Sequence, residues 1–183
     1  MPNGTTITPA AEIARTVDEV NKSGRALTDD ELNGIAQQLS KLFAVKQDEV
    51  ALLQLSENGA ILGFLYPVKL RKIGSIPMTT TNSLAMRTVR DKRPEMINNF
   101  PAQKHPTVFE SVALDPKVQE KQPIQKIMSA PLILDGKPVG VVQISRKGKS
   151  PTTAGNDFTI RDLTTLVTTA GVLAKGLRRQ VGG

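Results

Sequence analysis

Residues 129–146, SAPLILDGKPVGVVQISR, constrain this chain more than any other stretch. Asp135-Gly136 stands between two apolar runs, residues 130–134 and 139–145, the pattern of two antiparallel strands joined by a tight turn. In the second run Val139, Val141 and Gln143 point one way, and Gly140, Val142 and Ile144 the other. Both faces are largely apolar, so this strand is predicted to lie inside a sheet and to be covered on both sides. Pro131 predicts an irregular start to the first strand.

A chain of 183 residues with 39% hydrophobic residues can supply one sizeable core to cover such a strand. Three helices near the two ends of the chain carry start signals. Thr8-Pro9 opens the first, with Ile13, Val17 and Val20 on one face and Gly24 as the break. Its stripe is narrow, so it needs a partner. Thr28 and Glu31 form a capping box for the second, with Leu27 and Leu32 as its staple. Leu32, Ile35, Ala36, Leu39, Leu42 and Phe43 make its apolar face. Thr159 and Asp162 repeat the box at the last helix, stapled by Phe158 and Leu163, and its apolar face runs on to Leu177.

Between these helices the period changes. Residues 48–55 and 60–66 flank Asn58-Gly59 and predict a second hairpin. Val68, Leu70 and Ile73 alternate with Lys69, Arg71 and Lys72, which predicts a further strand with one wet face. Residues 79–82, with the Ser83 hydroxyl beside them, cap a helix that must end by Arg93, before Pro94, and residues 95–98 make a brief strand. Residues 99–118 are rich in Pro and polar groups, with a weak helical turn around 108–112. This order lacks steady strand–helix alternation, so the fold class is α+β: an antiparallel sheet with helices packed on one face. The expected units are an N-terminal extension with a short helix over residues 1–26, one domain over 27–178 and a tail over 179–183, with the terminal helices lying together on one face.

Composition removes much chemistry. The absence of cysteine excludes disulfides, thiolate metal sites and cysteine nucleophiles. His105 is the single histidine, and the acidic residues do not cluster at ligand spacing, so no metal or other cofactor is expected. No GxSxG elbow is present, and RKGKS at 146–150 lacks the upstream glycine of a P-loop. No catalytic set emerges, and the chain is expected not to be an enzyme. The formal charge of +7 favours anionic partners, yet aromatics make up only 3%, too few for a stacking platform on nucleic acid. The start, MPNGTTITPA, resembles no signal peptide, and no apolar run is long enough to span a bilayer, so a soluble cytoplasmic protein without membrane contact is expected.

Taken together, the capped entry helix, ALLQLSENGAILGFL, SLAMRTVRDKRPEMINNF and above all SAPLILDGKPVGVVQISR followed by FTIRDLTTL resemble a GAF domain, the small sensory fold related to PAS. The resemblance covers about residues 27–177. It implies a GAF/PAS-like central antiparallel sheet, an α/β sandwich-like arrangement with the N- and C-terminal helices on one face and shorter helices and loops on the other. Family members bind cyclic nucleotides, tetrapyrroles, haem, 2-oxoacids or other small molecules on the face opposite the terminal helices, or serve as dimerisation modules. Phe158 and Asp162 match the pair that opens the family's terminal helix. Ser145-Arg146 and Leu163 depart from the Asn-Lys and Glu of the cyclic-nucleotide subset. Bilin attachment and the methionine-sulfoxide reductase branch both require a cysteine.

The candidate pocket is Tyr66, Met86, Ile97, Phe100, Phe109 and Met128, with Arg87 and Arg90 as anion-binding groups on one helix face. Lys69, Arg71 and Lys72 are placed to extend that basic mouth. The expected function is a small-molecule-sensing or regulatory module. It would take a small, anionic ligand, pair as a homodimer through the terminal helices and deliver its output in trans to a protein partner. A ligandless dimerisation scaffold and a nucleic-acid-associated factor using the basic faces are the alternatives.

Overall fold

The computed structural model describes residues 4, 6–72, 74–102 and 122–177. Ile73, His105, Phe109 and the turn expected at 108–112 lie outside the described residues.

Local capping chemistry sets the helix starts. Thr8 Oγ1 accepts the Ala11 N–H at 3.2 Å to open α1 (Pro9–Ser23), and Gly24, at φ 70°, closes it. At α2 (Asp29–Phe43) the Glu31 N–H reaches Thr28 Oγ1 at 3.1 Å, and the Thr28 N–H returns to Glu31 Oε2 at 2.9 Å. Arg25 grips both oxygens of the same carboxylate at 2.6 and 2.9 Å. The Arg25 guanidinium, reinforced by the Thr28 contacts, lowers the Glu31 carboxyl from 4.5 to about 2. A depressed carboxyl stabilises the fold fully above its unfolded value, and the contribution fades as pH falls from 4.5 toward 2. Glu31→Gln is therefore expected to lower the melting temperature by a few degrees at neutral pH. It should leave the melt unchanged near the bottom of that window, as thermal melts across an acid series would show.

The strands β1 (Val50–Leu55), β2 (Ile61–Tyr66), β3 (Ser75–Pro77), β4 (Glu95–Ile97), β5 (Ile124–Leu134) and β6 (Lys137–Lys147) form one antiparallel sheet in the order β3-β2-β1-β6-β5-β4. As predicted, β6 lies inside, between β1 and β5. Two further helices complete the fold, α3 (Leu84–Asp91) and α4 (Ile160–Leu177). The second capping box opens α4: the Thr159 N–H donates to Asp162 Oδ2 at 2.8 Å, and the Asp162 N–H to Thr159 Oγ1 at 3.2 Å.

Each sheet face has its own core. On the back, Ile13, Val17, Leu32, Leu39, Leu166, Leu173 and their neighbours from α1, α2 and α4 pack against Val50, Leu52, Val142 and Ile144. On the front, α3 and the segment around Phe100 pack against Ala51, Leu53, Ile127 and Val141. The narrow stripe of α1 finds the partner it needs: Ile13, Val17 and Val20 are buried in the back core with α4.

Three local expectations give way to packing, and the expected cap of α3 narrows to a single residue. Val68–Leu70 is a single 3-10 turn rather than a strand, because Pro67 has no N–H for the ladder and its carbonyl instead accepts the Leu70 N–H at 3.0 Å. The capping residue of α3 is Ser83, whose Oγ accepts the Met86 N–H at 3.4 Å. β5 begins at Ile124 and passes straight through Pro131. Partners from β4 stop at Ser129, so Pro131 has a neighbouring strand on one side only, where a missing donor is tolerated. Finally, Val139 packs with the back core, whereas Val141 packs with the front. The β5–β6 register slips there, pairing Leu132 with Gly140 and Ile133 with Pro138, and this irregularity breaks the alternation.

Candidate functional site

The front of the sheet is apolar over most of its area, but a polar group is set into its centre. Gln143 pairs across β6 with Ala51 on β1 and Ser129 on β5, and directly opposed residues share a face. Ala51 belongs to the front core, so Gln143 and Ser129 do as well. Thr88, on the buried side of α3, completes the group. Thr88 Oγ1 donates to the Leu84 carbonyl at 2.8 Å. A hydroxyl has one proton, so at the 2.7 Å contact between Thr88 Oγ1 and Ser129 Oγ the proton belongs to Ser129. Ser129 Oγ in turn accepts Gln143 Nε2–H at 3.2 Å. The bonds therefore run in one direction, from Gln143 through Ser129 and Thr88 to the backbone of α3. All three residues are buried.

The polar row continues toward the end of β6. Ser145 Oγ donates to the Glu49 carbonyl at 3.3 Å, and the Glu49 carboxylate accepts the backbone N–H of Lys46 at 2.8 Å and of Lys147 at 2.5 Å. Burial pushes the Glu49 carboxyl up, against the pull of those two N–H groups. Lys147 Nζ donates to the Asp48 carbonyl at 3.0 Å, and Gln125 Nε2 to the Gly148 carbonyl at 2.9 Å. These contacts tie the start of β1 to the end of β6 and serve as a frame for the central group.

The structure gathers only part of the predicted pocket. Met86, Ile97 and Phe100 pack together on the front. Tyr66 and Met128 do not join them: both are buried in the back core. Arg87 is engaged by Glu95, with Nη2–Oε2 at 2.7 Å and Nε–Oε1 at 3.0 Å, while Arg90 is exposed. Arg71 is likewise held, by Asp29 Oδ1 at 2.8 Å and the Leu65 carbonyl at 3.0 Å, and Lys69 and Lys72 face water. Phe109 lies outside the described residues. Among the described residues no cluster of acidic or histidine side chains has metal-binding spacing. Sequence reasoning passed over the central group, although Gln143 in the apolar run VVQIS was its visible trace.

The back presents a different feature. An open groove of about 430 Å³ runs between α1 and α4, floored by Ala14, Val17 and Val172 and edged by Arg15, Asp18, Asn21 and Lys175. Beside it α4 exposes Val167 and the uncharged residues Thr164, Thr168 and Gly171.

The family model described as GAF domain matches residues 28–178, which spans the whole sheet, α2, α3 and α4. The chain belongs to the GAF domain family. Sensory and regulatory signalling modules make up most of this family, though its fold also includes methionine sulfoxide reductases. The GAF domain of an Acinetobacter phosphoenolpyruvate-protein phosphotransferase superposes with a TM-score of 0.62 at 16% identity, covering 92% of each chain. Residues 122 to 287 of a methyl-accepting chemotaxis protein give 0.59 at 16% identity, covering 90% of this chain and 95% of the other. The free methionine-R-sulfoxide reductase of Neisseria meningitidis, in complex with its substrate, gives 0.57 at 16% identity, covering 93% and 90%. At such identities the likeness is one of fold. No curated protein matches the chain in sequence. No helix among the described residues is long and apolar enough to cross a membrane. This GAF domain departs at Ser145-Arg146 from the family's cyclic-nucleotide pattern, and here Ser145 binds backbone on the front while Arg146 turns to the back.

Proposed function

We propose that this GAF domain is a cytoplasmic sensory or regulatory module that binds a small molecule against the front of its sheet, pairs as a homodimer through α1 and α4, and delivers its output in trans to a protein partner. The buried group Gln143–Ser129–Thr88 carries the reading. Polar side chains at the centre of an apolar face add little to a core that apolar residues would fill equally well, and they supply directional contacts to a guest. Because the group ends on α3, occupancy at the sheet has a physical route to the helix above it. The similar domains from a phosphotransferase and a chemotaxis protein support a regulatory role. The module is read as non-enzymatic, since the reductase branch of the family depends on cysteine and this chain has none. An anionic ligand draws less support, since Arg87 and Arg71 already hold carboxylates.

The groove between α1 and α4, with the uncharged side of α4 beside it, suits helix pairing between two copies. Light scattering at micromolar concentration is expected to give a dimer, and Val167→Glu a monomer. A monomeric parent protein removes the pairing claim. Native mass spectrometry and a thermal-shift screen are expected to find a bound or stabilising metabolite. A dimer that binds none would instead be a ligandless scaffold.

A further inference from the structure

We infer that Gln143 is the ligand-reading residue of this domain, and that its ligand is a neutral molecule presenting an amide-type edge, an N–H donor beside a C=O acceptor. The inference rests on the reading that a small molecule binds the front of the sheet, and it names the chemistry of that molecule.

The direction of the hydrogen bonds leads to this assignment. Thr88 spends its proton on the Leu84 carbonyl, Ser129 spends its own on Thr88, and one Gln143 N–H is committed to Ser129. Polarity along the chain is thus set by the backbone of α3, since turning the Gln143 amide over would require both hydroxyls to reverse and Thr88 to give up its bond to the Leu84 carbonyl. What remains is one planar group with a free N–H and a free carbonyl oxygen. Among the described residues no partner meets either of them. Gln143 is only 7% exposed, and its oxygen is not among the buried side-chain atoms left without a partner, so what exposure it has opens this edge to solvent and to a guest.

The surroundings favour a guest without charge. Gln143 is flanked across the strands by Ala51 and Ser129, two small residues that leave the amide standing above its neighbours. Around them the front is built from Leu53, Met86, Ile127 and Val141. At the end of the row Glu49 is an acid whose charge burial disfavours, and the Lys147 ammonium beside it is engaged by the Asp48 carbonyl. A carboxylate or phosphate would enter this apolar setting opposite an amide whose exposed acceptor repels it, whereas an amide edge offers a donor to the oxygen and an acceptor to the N–H.

Primary carboxamides and nucleobase edges share this chemistry, so the test uses both. Nicotinamide, nicotinate, uracil and 1,3-dimethyluracil are each titrated into the full-length protein, and the side-chain amide pair of Gln143 is followed by proton–nitrogen NMR. Nicotinamide or uracil is expected to move that pair together with the backbone amides of Ala51 and Ser129, and the stronger of the two names the source. Nicotinate and dimethyluracil are expected to bind at least tenfold more weakly, and Gln143→Leu to weaken the preferred probe at least tenfold. The spectrum of the unmodified protein decides the matter even if that variant folds poorly. If a metabolite found by native mass spectrometry, or any of these probes, binds the front while the Gln143 pair stays still, this inference fails and the sensing reading stands. If the charged or fully methylated probe binds as tightly as its partner, the inference also fails. If no small molecule binds at all, both fall.

Discussion

Gly140→Ala is expected to destabilise the domain by about 3 kcal/mol and to lower its melting temperature by roughly 6–12 °C. A Cβ at this position would overlap the Leu53 carbonyl oxygen and would also come within 3.2 Å of Leu132 Cδ1 and 3.3 Å of Leu177 Cδ1. The first of these is backbone, pinned in the β1–β6 ladder beside the Gln54–Gly140 pair. Relief therefore requires moving a central strand, and the α4 terminus blocks the alternative. Gly63 on β2 is the internal control, since a Cβ there meets nothing within 4 Å. Gly63→Ala should be neutral or stabilise slightly, by restricting the unfolded chain. Urea denaturation of the two variants side by side checks the claim, and equal midpoints would show that the close strand approach is no constraint.

Arg146→Lys is expected to cost about 2 kcal/mol although it preserves the charge. The guanidinium donates to the Ala44 carbonyl at 3.0 Å through Nη1 and to the Phe43 carbonyl at 3.2 Å through Nη2, and its carbon lies 4.7 Å from the centre of the Phe158 ring. Those carbonyls close α2, where Ala44 takes the left-handed conformation at φ 52°. Phe158 is the residue just before the capping box of α4. One side chain thus joins the end of α2, the end of β6 and the entry to α4. An ammonium places a single point charge there and cannot span both carbonyls while stacking on the ring. Thermal melts should show the loss, and hydrogen exchange should show it concentrated at the α2 C-terminus. A melt within half a degree of the parent would mean that the fork is dispensable.

Both residues look ordinary in the sequence, which bears on what could be read there. Capping boxes at Thr28 and Thr159, the break at Gly24 and the interior position of β6 were all legible, because each depends on residues a few positions apart or on the pattern of one strand. The front location of Met86, Ile97 and Phe100 was legible only through the family resemblance, which puts a pocket opposite the terminal helices. Tyr66 was not. A register shift at Leu52/Leu53 breaks the β1–β2 pairing, and Leu65 and Tyr66 both enter the back core, so counting alternate positions along β2 fails there. Met128 shares the parity of Ala130 and Leu132, but only the docking of α4 on β5 decides that this parity is the back.

The amino-acid order alone determined where helices start and stop, which runs alternate, and that cysteine chemistry is closed to this chain. Those properties follow from covalent geometry, local hydrogen bonding and composition, which act over one or two turns or need no structure at all. The tertiary structure alone decided that Arg87 is engaged by Glu95 rather than free for an anion, and that Thr88 meets Ser129 across 41 positions of chain. It also set Gln143 beside Ser129 with its amide direction fixed by α3. Such contacts depend on which face of each strand receives which helix, a choice made by burying the largest apolar area of all the elements at once.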